Sequence, residues 1–195
     1  IPILSVKMDV AGMEKIPKSG RFMLVCNHLS LADPVFILHY FRKSQLSFIS
    51  KKENQDMFVV GKVMHKIQCQ LMNRENDREA LKTILKCVDI IKEDKASIAG
   101  FPEGYIKPDH KLHHFRSGVF KIAQRTKVPI VVCTLQNTQH VFHNAKRLQP
   151  TRVRFHLVDV IQPETYAGMT TVELGNMAFE MMAKDLGPEN VSAEI

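Results

Sequence analysis

Residues 130–135 read Ile-Val-Val-Cys-Thr-Leu, a β-branched, apolar run entered through Val128 and Pro129. A strand of that composition offers no polar side to water, so it must be covered on both faces. Arg21-Phe22-Met23-Leu24-Val25-Cys26 is a second such run, ending at Asn27. Shorter strands fit Leu46 to Ser50, Gln70 to Met72 and Ala96 to Phe101. Between these runs the apolar residues recur at three- and four-residue steps. From Asp77 to Lys92, Leu81, Ile84, Leu85, Val88 and Ile91 fall on one helical face, and Asn76 followed by Glu79 reads as a capping box. Helices are also predicted over 33–42, 57–66, 117–127 and 170–184, with Asp33 capping the first. Leu174, Met177, Ala178 and Met181 form the stripe of the last, which Gly187-Pro188 ends. Arg152 to Val158 alternates charge and apolarity, as an edge or half-exposed strand does. Strands alternating with helices predict an α/β fold: a single domain over 1–195, with a mixed, mostly buried β-sheet flanked by helices.

A 45% apolar and 24% charged composition suits a folded globular chain and argues against disorder. No apolar run approaches the ~18 residues of a membrane-spanning helix. Cys26, Cys69, Cys87 and Cys133 are dispersed with no CxxC pair, which reads as reduced core thiols. The net charge of +7 suits a phosphate-bearing partner, whether nucleic acid, anionic lipid or small substrate, but solvated lysines account for it equally.

The chemistry concentrates at Asn27-His28-Leu29-Ser30-Leu31-Ala32-Asp33, where a buried strand gives way to a helix. A turn of this length brings the His28 imidazole against the Asp33 carboxylate. Asp33 then accepts a hydrogen bond from one ring nitrogen and leaves the other free as a base. The GxSxG elbow of serine hydrolases is absent. Cys26 opens the reading of a Cys–His hydrolase, although a buried core thiol is the commoner state of such a residue. The simpler reading is that the substrate's own hydroxyl attacks once His28 takes its proton. Phe101-Pro102-Glu103-Gly104 and Arg74 also follow predicted strands, and an arginine fork suits phosphate.

Together, Asn27-His28-x4-Asp33, Leu71-Met72-Asn73-Arg74, Phe101-Pro102-Glu103-Gly104 and Val128-Pro129-Ile130 resemble the four ordered blocks of the lysophosphatidic acid acyltransferase (PlsC, glycerolipid acyltransferase) family. Ser50-Lys51-Lys52-Glu53 and Phe115-Arg116-Ser117-Gly118 resemble its connecting segments, and the likeness spans roughly Lys7 to Leu135. The resemblance implies the glycerol-3-phosphate acyltransferase-like fold and direct transfer of a fatty acyl chain to a lysophospholipid. It makes His28 the general base, Asp33 its partner, and Asn27, Arg74, Glu103, Gly104, Lys107 and Pro129 substrate-binding residues. It implies no cofactor and no metal, with acyl-CoA or acyl carrier protein as donor. The implied partners are lysophospholipid, donor and a membrane surface, not nucleic acid. The implied location is the cytoplasmic face of a membrane, with an anchoring segment expected ahead of Ile1. The third block departs from the family pattern: Tyr105 and Ile106 stand where threonine and arginine are usual, and Lys107 offers a point charge rather than a fork. His110-x-x-His113-His114 and His140-x-x-His143 have metal-like spacing, but a zinc site needs three or four ligands with supporting groups, and both read as surface loops.

Overall fold

The computed structural model describes residues 5–56, 58–73 and 76–193. Its strands are β1 (Val6–Ala11), β2 (Met23–Cys26), β3 (Leu46–Lys51), β4 (Gln70–Met72), β5 (Ser97–Gly100), β6 (Ile130–Gln136) and β7 (Thr151–Ile161). Its helices are α1 (Asp33–Tyr40), α2 (Phe58–Lys66), α3 (Asp77–Lys92), α4 (Lys121–Thr126), α5 (Val141–Lys146) and α6 (Thr171–Leu186). Met57, the predicted start of α2, lies outside the described residues. The strands form one sheet in the order β1-β7-β6-β2-β5-β3-β4. Pairing is parallel except between β6 and β7, so the sheet is mixed, as expected.

Alternation along each strand sends successive side chains to opposite faces. Met23, Val25, Ile98, Ile130 and Val132 face α3, α4 and α6. Leu24, Cys26, Ala99, Val131 and Cys133 face α1 and α5. Both faces of β2, and of β6 from Ile130 to Leu135, are buried, which is why neither strand alternates polar with apolar residues.

Several local expectations are corrected. β7 has the predicted alternation of burial, but it is not an edge, because β1 pairs along Val6–Ala11 outside it. The α3 stripe is rotated: Thr83, Ile84, Cys87, Val88 and Ile91 are buried, whereas Leu81 is 40% exposed. In α6 the buried stripe runs Leu174, Ala178, Met182, Leu186 rather than through Met181. Asn76 caps α3 by accepting from the Arg78 and Glu79 amides, but the Glu79 carboxylate binds Asn73 Nδ2 instead of closing a box. The reciprocal box is at α6, between Thr170 and Glu173. Residues 117–127 divide into a 3-10 turn at Ser117–Phe120 followed by α4.

Adjacent strands β2 and β5 send their following helices to opposite sides of the sheet. β2 leads through α1, on one face, outward to β3. β5 leads through α4, on the other face, back to β6. Loops that part in this way leave a crevice at the carboxyl ends of the two strands.

Candidate active site

His28 leaves β2 and Phe101-Pro102-Glu103 leaves β5, so both line that crevice. Asp33 opens α1 without capping it. Ala32 holds the cap position, and Pro34 tolerates the first turn because its missing N–H would have had no helical partner. The Asp33 carboxylate turns back instead into the loop before it. Its Oδ2 accepts from His28 Nδ1 at 2.9 Å, the Leu29 amide at 2.7 Å and the Ser30 amide at 2.8 Å. The residue is fully buried, and Oδ1 has no partner among the described residues. Oδ2 already accepts from two backbone N–H groups, so it also serves as the acceptor for Nδ1–H of His28, and Nε2 stays outside the pair. The His28 side chain is 15% exposed, and Nε2 has no partner among the described residues.

Two further contacts hold this imidazole. Its ring stacks on Phe101, with centroids 4.0 Å apart and planes 12° from parallel. The His28 backbone N–H donates to Glu103 Oε1 at 2.8 Å, while Glu103 Oε2 accepts from the His113 amide at 3.0 Å. Glu103 is 2% exposed. Burial pushes its carboxyl up to about 7, although the amides of His28 and His113 favour the anion. Asn27, also buried, accepts from the Leu135 amide at 2.7 Å and donates to the Leu135 carbonyl at 2.9 Å, tying the end of β2 to β6.

Phe101 also lines a cleft of about 350 Å³. Ile49, Met72, Ile84 and Val119 give it apolar walls, Gly104 lies beside Phe101, and Arg116 and Asp77 supply charge. Cys26, two residues before His28, is fully buried, and burial pushes its thiol well above the ordinary range. A thiol held protonated is a poor nucleophile, so the Cys–His hydrolase reading loses its thiolate.

The profile of the Acyltransferase family matches residues 7–136. The chain belongs to this family. Among relatives of this chain, a protein of Mycoplasma pneumoniae named a probable 1-acyl-sn-glycerol-3-phosphate acyltransferase is 32% identical over 155 residues, covering 77% of this chain and 57% of that protein. A Chlamydomonas reinhardtii protein named a 1-acyl-sn-glycerol-3-phosphate acyltransferase is 29% identical over 190 residues, covering 96% and 55%. The chain thus spans about half the length of these relatives. The crystal structure of the 1-acyl-sn-glycerophosphate acyltransferase PlsC from Thermotoga maritima superposes with a TM-score of 0.77 at 23% identity, over 94% of this chain and 72% of that one. That likeness establishes the shared fold.

The acyltransferase fold brings some expected site residues together and separates others. His28 and Asp33 meet. Asn27 and Glu103 were expected to hold substrate. Both are instead committed to backbone groups, so they shape the His28 loop. Gly104 lines the cleft at φ 93°, a conformation that favours glycine. Lys107 is turned onto Tyr105, donating to its hydroxyl at 2.7 Å, with Nζ 4.2 Å from the ring centroid. Pro129 is displaced altogether. Its carbonyl accepts from Met23 at the start of β2, whereas His28 lies five residues further on, roughly 16 Å along an extended strand. Arg74 lies outside the described residues. The His110–His114 group is divided: His113 Nε2 sits 2.9 Å from the Asp109 carboxylate, while His114 stacks on Phe179. Among the described residues no set of three His, Cys, Asp or Glu side chains is placed to hold a metal ion, and no helix is long and apolar enough to cross a membrane. Sequence reasoning gave no role to Phe101 as the ring under His28, nor to Arg116 as a cleft residue. The signal for the first was its position directly after β5.

Proposed function

We propose that this chain carries the catalytic domain of a 1-acyl-sn-glycerol-3-phosphate acyltransferase. It transfers a fatty acyl group from acyl-CoA or acyl carrier protein to the free hydroxyl of lysophosphatidic acid, giving phosphatidic acid. The observation that carries the reading is the His28 ring, held on Nδ1 by buried Asp33 and stacked on Phe101, which lines an apolar cleft. Family membership and the names of the relatives support it.

The acceptor hydroxyl gives its proton to His28 Nε2 as its oxygen attacks the thioester carbonyl carbon. Asp33 stabilises the imidazolium that forms. The tetrahedral intermediate collapses by breaking the C–S bond, and the imidazolium returns its proton to the departing thiolate. No acyl-enzyme, metal or cofactor enters these steps. The apolar walls of the cleft suit an acyl tail.

We place the reaction at the cytoplasmic face of a membrane, because lysophosphatidic acid and its product are bilayer lipids. Leu31 and Val35, on either side of Asp33, are 44% and 51% exposed, and they suit contact with a lipid surface. A different lyso-lipid acceptor is the second reading, favoured by Tyr105 and Ile106 in the third block.

The test is thiol release and lipid product from purified protein given a panel of lysophospholipids with each donor. Transfer to lysophosphatidic acid is expected, with His28→Ala lowering kcat by roughly 10²- to 10⁴-fold while the far-UV circular dichroism is kept. An unchanged rate in His28→Ala refutes the mechanism, and transfer to another lyso-lipid alone selects the second reading.

A further inference from the structure

Phe101 and Glu103, which hold the ring and the amide of His28, belong to a long irregular loop. Between β5 and the 3-10 turn at Ser117–Phe120, residues 101–116 contain neither helix nor strand apart from one isolated bridge at Leu112. A loop of this length needs outside contacts to hold one conformation. Leu112, 1% exposed, finds them by pairing in parallel with Val191. Its N–H donates to the Asn190 carbonyl at 2.8 Å, and its carbonyl accepts from the Ser192 N–H at 2.9 Å. The next N–H along the loop, that of His113, donates to Glu103 Oε2, and Glu103 Oε1 takes the His28 N–H. Beyond it, His114 and Phe115 pack on Phe179 of α6, with ring centroids 5.2 and 5.4 Å away.

The segment that grips Leu112 is itself anchored. Near the end of α6 the Asp185 carboxylate accepts from Thr134 Oγ1 at 2.5 Å and from Arg154 Nη2 at 2.9 Å, which pins the helix to β6 and β7. The chain leaves the helix at Gly187, with φ 83°, and Asn190 closes the turn. The Asn190 N–H donates to the Gly187 carbonyl at 3.1 Å and its Nδ2 to the Leu186 carbonyl at 2.8 Å, which aims its own carbonyl at Leu112. A path of hydrogen bonds and short covalent steps thus runs from the anchored helix end through Leu112, His113 and Glu103 to His28. We infer that Asn190 and Ser192 are positioning residues for the transfer reaction, acting along this path to fix His28. Neither lines the apolar cleft, and both lie beyond residue 136, where the family profile ends. The inference rests on the acyltransferase reading for the rate that is affected, but not for the control of the His28 amide.

Hydrogen exchange followed by NMR tests that control without any substrate. It compares the His28 amide in wild type, in the chain ended after Leu186 and in Ser192→Pro. The proline removes the N–H that donates to Leu112, and the extended conformation of Val191, φ -111° and ψ 137°, is one that a residue before proline adopts. Exchange at His28 is expected to rise about 10-fold or more in both variants, while Leu24 and Val131, inside β2 and β6, keep their protection. Unchanged exchange at His28 overturns the inference whether or not acyl transfer occurs. Lost protection at Leu24 and Val131 in the shortened chain marks general unfolding, and Ser192→Pro then decides. In the transfer assay, kcat is expected to fall roughly 10- to 100-fold with both KM values within about 3-fold of wild type, because the base is displaced and the cleft is not. An unchanged kcat, with or without a rise in either KM, also overturns the inference. Absence of transfer by wild type with every lyso-lipid defeats the acyltransferase reading and leaves the exchange result to decide whether the C-terminal segment holds His28.

Discussion

Glu103→Gln replaces a buried carboxyl by its neutral isostere without changing its volume. In the wild type both carboxylate oxygens face backbone N–H groups, and the side chain is 2% exposed. Burial raises its pKa from the usual 4.5 to about 7. Between those values the folded protein keeps a proton that the unfolded chain has released, so the unfolded state binds fewer protons and stability falls as pH rises. The shift corresponds to about 3 kcal/mol, fully lost once the pH passes the folded-state value. The glutamine variant does not titrate here, and its NH₂ meets a backbone N–H at all pH values, a constant penalty of about 1–3 kcal/mol. Subtracting the two pH profiles cancels every other titrating group. Urea unfolding followed by far-UV circular dichroism, from pH 4.5 to 8 in half-unit steps, is the assay. The wild type is expected to lose about 3 kcal/mol relative to Glu103→Gln across that range, with the curve levelling near pH 7. A flat difference means the two amides fully offset burial, and a rising one means they exceed it; either refutes the reasoning.

Asp33→Asn keeps an oxygen for the Leu29 and Ser30 amides but removes the carboxylate to which the proposed mechanism assigns stabilisation of the His28 imidazolium. It is expected to lower kcat by roughly 10²-fold or more with a melting temperature close to wild type, and a wild-type kcat refutes the pairing. Cys26→Ala removes a fully buried thiol to which the proposed mechanism gives no part. It is expected to cost about 1–2 kcal/mol in urea unfolding and to leave kcat within a few-fold, whereas abolished turnover in a folded variant reinstates a cysteine nucleophile.

Elements whose signal is local were legible. β2 is apolar throughout and β6 nearly so, α3 carries a long amphipathic period, and both cores follow from strand alternation. β1 carries the alternation of a half-exposed strand, Val6, Met8 and Val10 against Lys7 and Asp9, but over too few residues to be set apart from a loop by pattern alone. α5 is six residues long with no side-chain cap, below the length at which periodicity speaks. β7 shows why alternation does not identify an edge. It reports one covered face, and β1 supplies a neighbour along the hydrogen-bonding direction, which side-chain pattern does not record.

The His28–Asp33 contact lay within reach of the linear chain, because five residues across a strand-to-helix turn close on themselves whatever the rest of the fold does. The roles of the distant residues did not. Glu103 meets the His28 amide across 75 positions only because β2 and β5 lie side by side and parallel, and the same pairing stacks Phe101 on the imidazole. Parallel strands also carry Pro129 to the opposite end of the sheet, although its block stands beside the others in the sequence pattern. Residue type and spacing specify which groups are capable of chemistry. Long-range strand pairing and burial decide which of them face a ligand and which are consumed in satisfying the backbone.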